Sequence, residues 1–189
     1  NGSPAFEPTR GDRLAVTLST VGGNLDIYLV ALADGALTRV TSDPAIDTEA
    51  VFSPDGRSLY FTSDRAGSPQ IYRAEALANA PAKRMTFTGS YNARPRLSPD
   101  GKQLAMVTLA GGSYRVAVQD LATGVVRQLT KGPLDESPSF APNGAMLIYA
   151  GRDRGQGVLA TVAIDGLTTQ RLKADEGEVR EPVWGPRRP

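Results

Sequence analysis

The chain has 189 residues, with 21 Lys and Arg against 20 Asp and Glu and a net charge of +1; so even a balance gives no bulk electrostatic reason for a nucleic-acid or polyanion partner. It contains no Cys and no His, which excludes disulfides, thiol nucleophiles, Cys/His zinc sites and a Ser-His-Asp triad within the chain. No apolar run approaches the roughly 18 residues needed to span a bilayer.

Twenty Gly and fourteen Pro favour many short strands joined by turns over helices. The first unit opens with Phe6-Glu7-Pro8-Thr9-Arg10-Gly11-Asp12-Arg13-Leu14, a turn with one extra residue, and runs into an apolar strand from Leu14 to Leu18. A Gly22-Gly23 loop follows, then a strand carrying Ile27-Tyr28, a turn at Asp34-Gly35, and a polar strand ending Arg39-Val40-Thr41.

The same order then returns. Phe52-Ser53-Pro54-Asp55-Gly56-Arg57-Ser58-Leu59 leads into Leu59 to Phe61, a loop at Ala66-Gly67, a strand with Ile71-Tyr72, and the ending Arg84-Met85-Thr86. Leu97-Ser98-Pro99-Asp100-Gly101-Lys102-Gln103-Leu104 leads into Leu104 to Val107, Gly111-Gly112, Val116-Ala117, Thr123-Gly124 and Gln128-Leu129-Thr130. Phe140-Ala141-Pro142-Asn143-Gly144-Ala145-Met146-Leu147 leads into Leu147 to Tyr149, Gly155-Gln156-Gly157, Leu159-Ala160, Asp165-Gly166 and Arg171-Leu172-Lys173. A fifth copy begins at Trp184-Gly185-Pro186.

The repeat prolines stand at 8, 54, 99, 142 and 186. A period of this size in strand-like sequence is the signature of propeller blades. In each turn Pro sets φ, Asp or Asn bonds the turn backbone, and Gly takes positive φ. A sandwich of short strands has no reason to repeat one turn motif. The sequence therefore predicts an all-β fold, a β-propeller of four-stranded antiparallel blades, with about four blades and a closing strand. The expected blades are 3–46, 47–92, 93–136 and 137–180, with the closing strand at 181–186. The chain starts at Asn1 rather than Met and shows no signal-peptide pattern, so it is expected to be a segment of a longer protein.

The Ser-Pro-Asp-Gly turn, the Tyr of the third strand and the Arg-x-Thr or Gln-Leu-Thr ending resemble the TolB-type, WD40-like propeller repeat. Three longer runs sharpen the resemblance: Leu134 to Gly144, Gln119 to Gly124, and Val179 to Pro186. The resemblance covers the whole chain. It implies a six-bladed ring whose N-terminal α/β domain and first blades are absent here. It also implies a periplasmic protein of Gram-negative bacteria in the Tol–Pal system, which maintains outer-membrane integrity and acts in cell division. Its partners would be the peptidoglycan-associated lipoprotein Pal and other Tol proteins, with bacteriocins exploiting the same surface. It implies no enzyme activity, no cofactor and no metal. The Arg-Arg-Pro tail departs from the short ending of the family. The bare repeat is shared with the propellers of prolyl-oligopeptidase-type serine peptidases; in that alternative a separate hydrolase domain carries a Gly-x-Ser-x-Gly segment. An axial-channel enzyme such as a lyase is disfavoured by the lack of His and of a dense acid/base cluster.

Loops that join one blade's outer strand to the next blade's inner strand lie at one height on one face, a common way to build a binding surface on a rigid scaffold. They read Asn1-Gly2-Ser3, Asp47-Thr48-Glu49, Tyr91-Asn92-Ala93-Arg94, Asp135-Glu136-Ser137 and Glu178-Val179-Arg180-Glu181. The expected partner-binding residues are Asn1, Ser3, Asp47, Thr48, Glu49, Tyr91, Asn92, Arg94, Asp135, Glu136, Ser137, Arg180 and Glu181. The family resemblance aligns Asn1, Ser3, Thr48 and Glu49 with contact loops. Asp47 and Asp135 equally fit turn residues that bond their own backbone. No compact Asp-rich loop marks a calcium site. Tyr28 and Tyr72 recur at one repeat position and are expected to pack between blades. Asp64-Arg65 and Asp153-Arg154 are expected to pair locally, and Ser63 and Ser139 lack a base that would make them nucleophiles.

Overall fold

The structure, a computed structural model, describes residues 2–19, 23–153, 155–172 and 179–185. Its described residues form sixteen strands and no helix. The first sheet holds β1 (Gly2–Phe6), β2 (Arg13–Ser19), β3 (Leu25–Ala31) and β4 (Leu37–Arg39), in that order. The second holds β5 (Asp47–Phe52), β6 (Ser58–Ser63), β7 (Gln70–Glu75) and β8 (Lys83–Arg84). The third holds β9 (Asn92–Leu97), β10 (Gln103–Ala110), β11 (Ser113–Asp120) and β12 (Val126–Gln128). The fourth holds β13 (Asp135–Phe140), β14 (Met146–Asp153), β15 (Gln156–Ala163) and β16 (Thr169–Leu172). Each sheet is an antiparallel meander with its strands in sequence order, as a propeller blade requires.

The inner strands β9 and β13 begin at Asn92 and Asp135, slightly ahead of the blade limits expected at 93 and 137. Their first residues are buried anchors rather than loop tips. The closing strand expected at 181–186 is described over 181–185, which form no ladder; the Trp184 amide donates to the Ser139 hydroxyl of β13 at 3.2 Å.

Local chemistry explains the turns. The Ser53 hydroxyl donates to Asp55 Oδ1 at 2.5 Å, while the Gly56 amide donates to the Ser53 carbonyl at 2.8 Å. Ser98 and Asp100 repeat this at 2.6 Å. Those hydroxyl bonds hold the Asp55 and Asp100 carboxyls below the usual range. In the first copy the roles are exchanged. Glu7 replaces the serine, and its carboxylate accepts from the Thr9 hydroxyl (2.5 Å) and the amides of Thr9, Arg10 and Gly11. Led by the Thr9 hydroxyl bond, these donors hold the Glu7 carboxyl at about 2.

The Thr that ends each of the first three repeats has an equally specific task. The hydroxyls of Thr41, Thr86 and Thr130 each accept from a third-strand amide, those of Ile27, Ile71 and Val116, at 3.0 Å. Two residues earlier, Arg39, Arg84 and Gln128 donate their side chains to the carbonyls of the same threonines. In the first three blades this Arg-x-Thr or Gln-x-Thr ending therefore closes the outer edge, where strands of two or three residues cannot hold by ladder bonds alone.

The chain forms two compact units, Asn1–Pro95 and Arg96–Pro189. In the first, Ile27, Leu29, Phe52, Leu59, Phe61 and Tyr72 pack in one buried cluster. Every residue of β6 is buried, because both faces of a central strand are covered in a stack of blades. Arg13 ties the two blades of this unit, donating to the carbonyls of Ala76 (3.1 Å) and Gly56 (3.2 Å). In the second unit the cluster includes Val116, Val118, Leu129, Phe140, Leu147 and Val162. Tyr28 and Tyr72 are buried at 7% and 6% exposure.

Candidate partner-binding surface

One backbone feature recurs at the start of every inner strand. Ser3, Glu49, Arg94, Ser137 and Glu181 take left-handed conformations, with φ between 50° and 59°. Each stands five residues before its repeat's proline. Non-glycine residues held in this region cost about 1–3 kcal/mol apiece and persist only where their surroundings impose them. The ladder shows the cause: the register between the first two strands of a blade slips between Gly2 and Ala5, between Thr48 and Val51, and between Glu136 and Ser139. Each slip is a bulge, which bends the strand and re-aims its side chains.

Two residues earlier in the second, third and fourth repeats the side chain turns inward. Asp47, Asn92 and Asp135 are 0%, 0% and 3% exposed. Asp47 accepts from Arg65 Nη2 at 2.9 and 2.8 Å, and burial nonetheless pushes its carboxyl up. Asn92 donates to Gln70 Oε1 and the Thr88 carbonyl, both at 2.9 Å. Asp135 accepts from the Gly132 amide at 2.8 Å. A Cβ at Gly132 or Gly151 would lie 2.3 or 2.9 Å from Asp135 Oδ1, so both glycines make room for the carboxylate. Burial, with the nearby Asp135 charge as a second cause, pushes the Tyr149 hydroxyl up to about 12. Burial sets these three side chains apart from the exposed members of the expected set. They are interior anchors at the root of the bulged strand.

The remaining expected residues divide by exposure. Ser3, Arg180 and Glu181 are exposed, while Thr48, Glu49, Tyr91, Arg94 and Glu136 are half-buried. Ser137 is buried at 6% exposure. Asn1 and Glu178 lie outside the described residues.

Glu49 is the best-connected of the set. Its Oε2 accepts from the Thr62 hydroxyl at 2.9 Å and from the Arg94 amide at 3.1 Å. Its Oε1 lies 3.3 Å from Arg94 Nε. One carboxylate thus joins the second blade to the inner strand that begins the third repeat. Sequence reasoning missed Thr62 as its partner, because nothing in the repeat marks that threonine.

Arg65 was also placed differently from expectation. It pairs with Asp47 and, at 3.8 Å, with Asp43, while Asp64 accepts from the Ile46 amide. The guanidinium lies 4.7 Å from the Tyr72 ring centre and 5.6 Å from that of Phe61. A buried carboxylate and two aromatic faces outcompete the half-buried Asp64 for this arginine. Asp153 pairs with Arg171, and Arg154 lies outside the described residues. Among the described residues no cluster of three or more acidic side chains is placed to hold a metal.

The sequence matches the family described as the TolB beta propeller domain over residues 1–188. It is 48% identical to the Tol-Pal system protein TolB of Bordetella pertussis over 161 residues, which are 85% of this chain and 36% of that relative. Its fold superposes on the crystal structure of TolB from Acinetobacter baumannii with a TM-score of 0.91 and 48% identity, covering 99% of this chain and 46% of that one. The chain thus spans less than half of either. A puromycin-hydrolyzing peptidase of Mycobacterium tuberculosis is similar at a TM-score of 0.64 and 17% identity, covering 87% of this chain and 30% of that one; a likeness at that identity shows the fold alone.

Proposed function

Because this chain belongs to the TolB β-propeller family, we propose that it is a non-catalytic docking module of the Tol–Pal system, acting in the periplasm on the peptidoglycan-associated lipoprotein. Through that contact it would help to maintain outer-membrane integrity and support cell division, and other Tol proteins or bacteriocins would use the same face. In the longer protein the blades would form part of a six-bladed ring. The observation that carries the reading is the recurrent left-handed residue at the head of each inner strand. Backbone strain repeated at one position, on bulged strands, is the kind held at ligand clamps. In the first unit it presents Ser3, Thr48, Glu49 and Arg94, a mixture of hydroxyls and opposite charges suited to hydrogen-bonded protein recognition.

The test is a calorimetric titration of this chain with the soluble domain of the lipoprotein. Saturable binding supports the reading. The half-buried Glu49–Arg94 pair dictates the control: exchanging the two charges, Glu49→Arg with Arg94→Glu, keeps an ion pair but inverts its presentation. A folded exchange variant that binds with undiminished affinity would remove these residues from the interface. Absence of binding by the unaltered, folded chain would count against the partner itself.

A further inference from the structure

The first blade leaves unbonded a hydroxyl that the second blade bonds twice. In the second blade Thr62 donates to Glu49 Oε2 at 2.9 Å and accepts from the Arg94 amide at 3.1 Å. Thr17 holds the same register in the first blade, pairing with Gly2 in the ladder as Thr62 pairs with Thr48. It is buried, at 4% exposure, yet its Oγ1 has no hydrogen-bond partner. Burying a hydroxyl unpaired is costly, so packing alone does not account for it. The cause lies at the head of the inner strand, where Gly2-Ser3 stands in place of Thr48-Glu49. Ser3 and Glu49 share the left-handed conformation, but a serine stops well short of where a glutamate carboxylate reaches. The space beside it is open: a Cβ at Gly2 would meet nothing within 4 Å.

Resting on the docking function proposed above, we infer that Thr17 and the open space over Gly2 and Ser3 form a subsite for an amide side chain, Asn or Gln, of the protein partner. Its carbonyl oxygen accepts from the Thr17 hydroxyl as Glu49 Oε2 accepts from Thr62. Gly2 and Ser3 are exposed, so a side chain can enter from solvent. What is missing there is the volume of side chains rather than of a strand. The burial of the hydroxyl is no bar, since rotation about χ1 carries it among staggered positions. Charge selects an amide over a carboxylate. In the second blade Arg94 supplies the cation that a carboxylate needs once it leaves water. In the first blade the next left-handed residue is Glu49, whose charge repels a second carboxylate. An amide offers the same acceptor oxygen without that charge.

Variants of the intact chain test the subsite. In urea unfolding, Thr17→Val should leave the midpoint unchanged or raise it, whereas Thr62→Val should lower it. An equal loss in both would mean that Thr17 is already bonded in the free chain, and overturns the subsite. Ser3→Gln, which supplies the amide from within, should have a higher midpoint than Ser3→Glu; the reverse order overturns the choice of an amide. Binding is then read by calorimetric titration with the soluble domain of the lipoprotein. Thr17→Val should bind about two- to tenfold more weakly, as loss of one hydrogen bond does. Ser3→Gln should lose at least as much, because its own amide fills the place. If either folded variant matches the unaltered chain, the subsite is wrong and the docking function stands. If the unaltered, folded chain does not bind the domain, the docking function fails and the subsite falls with it.

Discussion

Glu49 Oε1 lies 3.3 Å from Arg94 Nε, and its Oε2 lies 3.1 Å from the Arg94 amide, so one side chain grips the equivalent residue of the next repeat by both its charge and its backbone. Both residues sit in the left-handed region. The pair therefore helps to impose the strain that it also bridges.

Glu49→Ala should destabilise the chain by about 1–3 kcal/mol, the range for losing a charge-assisted hydrogen bond to a partly buried donor. Arg94→Ala should cost less, since Glu49 retains Thr62. A double-mutant cycle in urea should return a non-zero coupling. Strict additivity would mean that the pair does not hold the strand.

Arg65→Met should be among the most damaging substitutions in the first unit, costing about 3–5 kcal/mol by leaving the Asp47 carboxylate buried without its cation. Asp47→Asn added to it should restore much of the loss. The sign with pH follows from burial, which raises the Asp47 carboxyl in the folded state. Stability from a raised carboxyl is present below its unfolded value and lost as pH rises through the folded one. The Arg65→Met variant should thus be relatively more stable near pH 4 than at pH 7 by thermal melting, and the double variant should lose that difference.

Glu7 acts in the opposite sense. Its folded carboxyl is lowered to about 2 from an ordinary 4.5. Its contribution is present in full above the unfolded value and disappears as pH falls towards about 2. Glu7→Gln should flatten the acid limb of the stability curve between those two points. An unchanged limb would assign acid unfolding to other carboxylates, such as Asp55 and Asp100.

Gly56→Ala should cost far more than Gly35→Ala. Both glycines have positive φ, 70° and 73°, which an alanine tolerates at about 1–2 kcal/mol. At Gly35 a Cβ meets nothing within 4 Å, whereas at Gly56 it lies 1.9 Å from Glu7 Oε1. That carboxylate is tied by four donors and cannot swing aside without losing them. Overpacking of this kind adds about 1–3 kcal/mol, and urea unfolding of the two variants should show the difference.

The blade order, the turn chemistry and the outer-strand threonines were legible in the sequence, because each depends on residues within one repeat. Ser53 with Asp55, and Thr86 with Ile71, are close in the chain or on adjacent strands. The expected site was legible only as a set of positions. Its alternation into buried Asp47, Asn92 and Asp135 and left-handed Glu49, Arg94 and Ser137 was not, because a one-residue bulge reverses which side chains face inward, and no composition signal marks it.

By itself the sequence determined a repeating four-stranded meander, since local turns and a period of 43 to 46 residues are properties of the chain read in order. The tertiary structure alone decided which charges meet. Arg65 pairs with the buried Asp47 rather than its neighbour Asp64, and Glu49 reaches Arg94 across a full repeat, because a carboxylate taken out of water needs its cation more than a partly solvated one does.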